Sequence, residues 1–240
     1  MEDFLSSNGV QYEHHDLATD QQAREYLDSR GIKSVPVTIV DDDEVIIGYY
    51  PKKLVPALSL NIKVDLSGKT TWLSDKYDRI LTATVGATRQ LTDAQLEMQV
   101  SWRPQTLRSL FLHVLSFPEL AWLSHEHGSM STEDMRASNE RLKDVASVEA
   151  IAAYGEGVRD HIKAFLATGD TEAFDRVVPA HYGGEVTVLE LLNIILSHST
   201  HHLKQAYWFL EEDGGGLGLK LQNRATEDDL AGITTPEALI

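Results

Sequence analysis

The stretch that decides the fold is residues 187–212, TVLELLNIILSHSTHHLKQAYWFLEE. Thr187 followed three residues later by Glu190 is a capping-box signature ahead of an apolar run. Beyond it, Ile194, Ile195, Leu196, Leu203, Ala206 and Phe209 spread a broad apolar face around a helix, which places that helix deep in a bundle. Gly214-Gly215-Gly216 then stops it. His198 and His202 stand four apart on this helix and share one face, with Cβ atoms about 5–6 Å apart. Two imidazoles at that spacing can reach one ion, and neutral imidazole suits zinc, nickel, iron or copper. The spacing alone reads equally well as two solvated or capping histidines. The apolar setting favours ligation, because a histidine there needs a partner. His201 is a rival to His202. It falls about 60° short of a full turn from His198, where His202 falls about 40° past one, so geometry favours His202 only modestly.

Working upstream, three more long helical patterns appear. Residues 73–91 form one. Residues 104–124 form a second, with Pro104 suited to a first helical position and Pro118 expected to kink or interrupt the helix. Residues 148–167 form a third, preceded by a shorter piece over 132–145. His113 lies on the second, amid Leu110, Phe111, Leu112, Val114 and Leu115. A lone histidine in such a helix is more often a hydrogen-bonded core residue than a ligand. His125 and His127 are expected in a solvated loop after that helix. His14, His15, His161 and His181 show no ligand-like spacing and are expected at the surface.

Taken together, LRSLFLHVLSFPELAWL and, much later, TVLELLNIILSHSTHHLKQ resemble the DinB/YfiT-like metal-binding family over residues 72–212. The resemblance implies an up-down four-helix bundle with an open three-histidine metal site. One ligand comes from the second helix and two from an H-x-x-x-H motif on the last long helix. Those positions fall on His113, His198 and His202, with His201 left beside them. The family often ends the motif H-R-G-Q, whereas this chain reads His202-Leu203-Lys204-Gln205. Some members act on thiol conjugates through a low-molecular-weight thiol, and others have no known activity. Glu190, Tyr182 and Tyr207 are candidates for a carboxylate or tyrosine at the open metal face.

The first 58 residues mix strand and helix signals. Strands are expected at 10–16, 35–40 and 45–48, with helices at 19–29 and 51–58, and Arg30-Gly31 closes the first helix. Residues 60–66 alternate as a further strand, ended by a Ser67-Gly68 turn. The stretch is similar to a glutaredoxin from the middle of its first helix onward. Val35-Pro36 matches that family's cis-proline turn, which implies a cis peptide and makes Val35 and Pro36 candidate thiol-binding residues; Gly48 matches the glycine after the last strand. By the family's spacing, the first strand and the Cys-x-x-Cys motif would lie just before Met1. Either the gene starts further upstream, or the domain is degenerate and serves docking. A missing central strand leaves a gap that 60–66, 217–221 or a partner chain could fill, so a homodimer is one expected assembly.

Composition narrows the function classes. With 0 cysteines, disulfides, thiol nucleophiles and Cys-based zinc sites are all excluded. A net charge of −16 repels phosphate backbones and anionic lipids, so neither nucleic acid nor membrane is expected as a partner. The N-terminus lacks a basic stretch followed by an apolar run, and no apolar segment approaches the ~18 residues of a membrane span. A cytoplasmic location is expected. The fold expectation is α+β, with a truncated thioredoxin-like domain over 1–58, a linker with a strand over 59–71, a DinB-like bundle over 72–212, and a tail over 213–240 too polar to fold alone. The functional expectation is a metal-dependent enzyme that transfers or isomerises groups on small thiol conjugates. Its cofactors would be a divalent transition metal (zinc first, nickel or iron next) and a low-molecular-weight thiol. The alternative is a non-catalytic metal-binding or stress-response module with a degenerate thioredoxin-like docking domain.

Overall fold

The computed structural model describes residues 1–240 except 18, 33–34, 42, 49–50, 62–65, 182–183, 212–215 and 236–240. Contacts divide the chain into two compact units, one built on residues 1–65 and one on residues 66–233.

The first unit contains α1 (Glu2–Ser7), α2 (Gln21–Ser29), β1 (Val37–Val40), β2 (Glu44–Ile47) and α3 (Pro51–Ala57). Asp20 caps α2 by accepting from the Ala23 N–H at 2.9 Å, and Gly31 follows the helix with φ +67°. The acidic turn at Asp41 folds β1 back on β2 as an antiparallel hairpin, with Val37 opposite Ile47 and Val40 opposite Glu44. The Val35-Pro36 peptide is cis, as the glutaredoxin likeness implies, and the Gly48 N–H donates to the Pro36 carbonyl at 2.7 Å. The strand expected over 10–16 does not form. No strand pairs with that segment, residues 11–16 are exposed, and without a ladder partner alternation alone cannot hold an extended chain. The strand expected at 60–66 falls largely on 62–65, outside the described residues.

Four long helices make the second unit: α4 (Thr70–Thr88), α6 (Leu107–His127), α8 (Val148–Ala167) and α10 (Val188–Glu211). Between them lie the short α5 (Asp93–Leu96), α7 (Thr132–Leu142) and α9 (Thr171–Asp175), with α11 (Glu227–Leu230) following. Helix α4 packs chiefly on α8, and α6 on α10; contacts of α6 with α8 and of α4 with α10 close the bundle. Tyr77 on α4 is fully buried and donates its hydroxyl to the Leu192 carbonyl of α10 at 2.5 Å. Burial holds that phenol well above its ordinary pKa, so it remains a donor.

Three expectations change here. Helix α6 begins at Leu107, capped by the Thr106 hydroxyl on the Ser109 N–H at 3.1 Å, rather than at Pro104. Pro118 does not interrupt it. Proline removes one helical hydrogen bond and crowds Val114, yet Phe117, Pro118, Leu120 and Ala121 are all buried, and their packing carries the helix on to His127. His125 and His127 therefore sit in its last turn and not in a loop. His125 is half-buried, its ring 4.5 Å from that of Phe165.

An antiparallel hairpin that the sequence reading lacked, β3 (Val177–Ala180) with β4 (Gly184–Thr187), leads directly into α10. The tail lies on the bundle. The Leu217 and Leu219 N–H groups donate to the Phe209 and Leu210 carbonyls, which the end of α10 would otherwise leave unpaired. The Lys76 ammonium of α4 donates to the Asp229 carbonyl at 2.7 Å, and Arg79 pairs with the Asp229 carboxylate.

Gly155 of α8 faces side chains of both α4 and α6 at close range. A Cβ there would stand 2.7 Å from Val85 Cγ2 of α4 and 3.1 Å from both Leu115 methyls of α6, whereas a Cβ at Gly157 would meet nothing. In urea unfolding, Gly157→Ala should stabilise by up to about 1 kcal/mol through helix propensity. Gly155→Ala should instead destabilise, because overpacking of about 1–3 kcal/mol outweighs that gain.

Candidate metal centre

The register of α10 is set before its first turn. Thr187 ends β4, its N–H donates to Glu190 Oε2 at 2.8 Å, and the Glu190 N–H donates back to Thr187 Oγ1 at 3.3 Å. The hairpin thus anchors the cap, and the cap anchors the helix, which turns His198 and His202 toward α6. On α6, the Thr106 cap and the Leu107 N–H bond to the Met98 carbonyl (2.8 Å) seat the helix start, two turns before His113.

The structure brings His113, His198 and His202 together. One ring nitrogen from each lies within 4.8 Å of the others, the one such histidine or carboxylate group among the described residues. The Nε2 atoms of His113 and His198 are 2.9 Å apart. Ring centroids are 5.0 Å apart for His113 and His198, 4.6 Å for His113 and His202, and 4.5 Å for His198 and His202. His201, the rival in sequence, stays outside this group. Phe117, one turn beyond His113, walls one side, stacked on His198 at 4.6 Å and 21° and 4.1 Å from the His113 ring. The Gln205 carboxamide oxygen accepts from His202 Nδ1 at 2.6 Å. With Nδ1 carrying the proton, His202 turns the lone pair of Nε2 to the centre of the triad.

Electrostatics keep these rings neutral, the form that ligates a metal. Burial pushes the His113 imidazole down to about 4 and His202 to about 2, and holds His198 well below its ordinary value. Mutual repulsion among the rings and the Arg103 charge add to the effect at His198 and His202. His201 is pushed down to about 4, again chiefly by burial.

This donor set fits a divalent transition metal. Three neutral imidazole nitrogens within 4.8 Å of one another are the donor type and spacing that zinc and its neighbours accept. The sequence candidates for an acid or phenol beside it fare differently. Glu190 is committed to the α10 cap, about two turns from His198. The Tyr207 hydroxyl accepts from the Ala225 N–H at 3.0 Å and ties down the tail, and Tyr182 lies outside the described residues. Phe117 and Arg103 were not singled out from sequence. An aromatic residue four after His113 was the legible signal for the first, and nothing local marks the second.

His113→Ala, His198→Ala and His202→Ala should each abolish stoichiometric metal content, measured per chain after dialysis, while His201→Ala retains it. Equal loss in the His201 and His202 variants would mean that the third ligand is misassigned. Gln205→Leu should weaken affinity by about 10–100-fold, the usual cost of removing a ligand's orienting partner.

Comparison with known proteins agrees with this geometry. Residues 76–206 match the DinB superfamily, a span that carries all three histidines, and residues 1–46 match glutaredoxin, a span that includes Val35-Pro36. No curated protein and no solved structure matches the chain. With over half its length matched and the histidine triad assembled between α6 and α10, the chain belongs to the DinB superfamily.

Proposed function

We propose that the protein is a metal-dependent enzyme that transfers or isomerises groups on small thiol conjugates at the α6–α10 seam. The observation that carries this reading is the triad itself: three neutral imidazoles, joined by no carboxylate among the described residues. A closed structural site takes four protein ligands, whereas three leave a position for an exchangeable group. His113, His198 and His202 would hold the metal, and it would supply Lewis acidity and a lowered pKa for a coordinated thiol or water.

The chain's own residues provide the surroundings. Gln205 fixes the His202 tautomer, and Phe117 excludes water from one side of the rings. The buried seam keeps all three rings from protonating at neutral pH. Val35 and Pro36 are proposed as thiol-binding residues of the N-terminal unit, a reading supported by its likeness to glutaredoxin. Glutaredoxin chemistry does not accompany that likeness, because thiol–disulfide exchange requires a thiolate and the chain holds 0 cysteines.

Two measurements test the reading. Metal analysis followed by a conjugation screen, pairing several low-molecular-weight thiols with electrophilic acceptors, should find turnover that chelation abolishes and that His198→Ala lacks. Metal bound without turnover for any thiol would favour a non-catalytic module. In a disulfide-reduction assay run with chelator present, the protein should be inactive, and reduction at rates typical of a glutaredoxin would contradict the chemistry set out above.

A further inference from the structure

The plane of a histidine ring is only loosely set by its own chain, because the torsion that turns it has broad, roughly two-fold preferences. A ligand ring must therefore be steadied by what it touches. His202 is buried, and its Nδ1 bond to Gln205 fixes it. His113 and His198 are only half-buried, and both pack against the ring of Phe117.

His113 and Phe117 stand four apart on α6 and so share one face of that helix, turned toward His198 of α10. The Phe117 ring lies 4.6 Å from that of His198 at 21°, close to parallel, and 4.1 Å from that of His113 at 46°. The three imidazoles meet one another more steeply, at 52°, 87° and 76°. Phe117 is thus a flat surface common to two ligands, and neither ring can turn far without losing that contact or striking it. Its own place is firm. Phe117 is 8% exposed, and α6 continues through it although Pro118, next in the chain, has no N–H for the Val114 carbonyl.

We propose that Phe117 is a positioning residue of the metal site, whose ring holds the imidazoles of His113 and His198 in the planes that aim their nitrogens at one point. It does for these two by stacking what Gln205 does for His202 by a hydrogen bond. The assignment rests on the reading of the triad as a metal site and is independent of the thiol chemistry. It sets a requirement at position 117 for a flat ring, not for apolar volume alone. Leucine or methionine would fill much of the space, but a branched or flexible chain offers no plane for an imidazole to lie on.

The test uses the full chain titrated with cobalt(II) against a competing chelator, with the visible spectrum of the loaded protein as a second readout. Phe117→Leu should weaken cobalt affinity about tenfold or more, the usual cost of removing a ligand's orienting partner, and should alter the visible bands. Phe117→Met should do the same, and it takes the place of the leucine variant if that one does not fold. Phe117→Tyr keeps the ring and should retain the parent's affinity and spectrum. Phe165→Leu is the control, because that ring is 7% exposed, against 8% for Phe117, and packs on Phe174 and His125 rather than on the triad. It should lower stability in urea while leaving affinity and spectrum unchanged. Parental affinity in Phe117→Leu, an equal loss in Phe117→Tyr, or an equal loss in Phe165→Leu overturns the assignment and leaves the metal reading standing. A parent chain that binds no cobalt overturns the metal reading and this assignment with it.

Discussion

Three imidazoles in the seam between α6 and α10, His202 buried and His113 and His198 half-buried, impose the constraint from which the rest of this structure follows. Phe117 lies against His113 and His198, the three rings pack on one another, and burial makes a charged imidazole there unfavourable. The rings are consequently neutral, and neutral rings at this distance satisfy one another or a metal. The His113–His198 contact of 2.9 Å shows the first solution. A shared ion is the second, and it uses the same lone pairs.

Such a seam needs its two helices held in register, and the molecule spends much of its secondary structure on that task. The β3–β4 hairpin ends in the residue that caps α10, and the bridged loop before α6 ends in the residue that caps that helix. Tyr77 pins α4 to the middle of α10, and Gly155 lets α8 approach α4 and α6 closely. The tail satisfies carbonyls at the far end of α10. These contacts hold the helices that carry the three histidines, and their nearest neighbours, without adding a histidine or carboxylate to the cluster. The result is a cluster of three side chains held by rigid helices rather than by loops.

Residues 1–46 match glutaredoxin, yet the chain holds 0 cysteines. The matched span contains β1 and the cis Val35-Pro36 peptide. Fold likeness alone does not transfer activity. Residues 1–240 hold no cysteine, so they supply no thiolate to that fold.

Periodicity and residue type by themselves determined the four long helices, the α10 capping box and the apolar setting of His113, His198 and His202, because these are local properties of a 3.6-residue repeat. The cis peptide was legible through family likeness. Non-local pairing decided the rest. The β3–β4 hairpin was passed over although Gly183-Gly184 sits between two β-branched runs, and the strand expected at 10–16 has the alternation but no partner. Pro118 reads locally as a break, yet burial of its neighbours keeps α6 whole. Whether His202 or His201 stands beside His113 and His198 is a matter of some tens of degrees on one helix, and the position of α6 against α10 decides it.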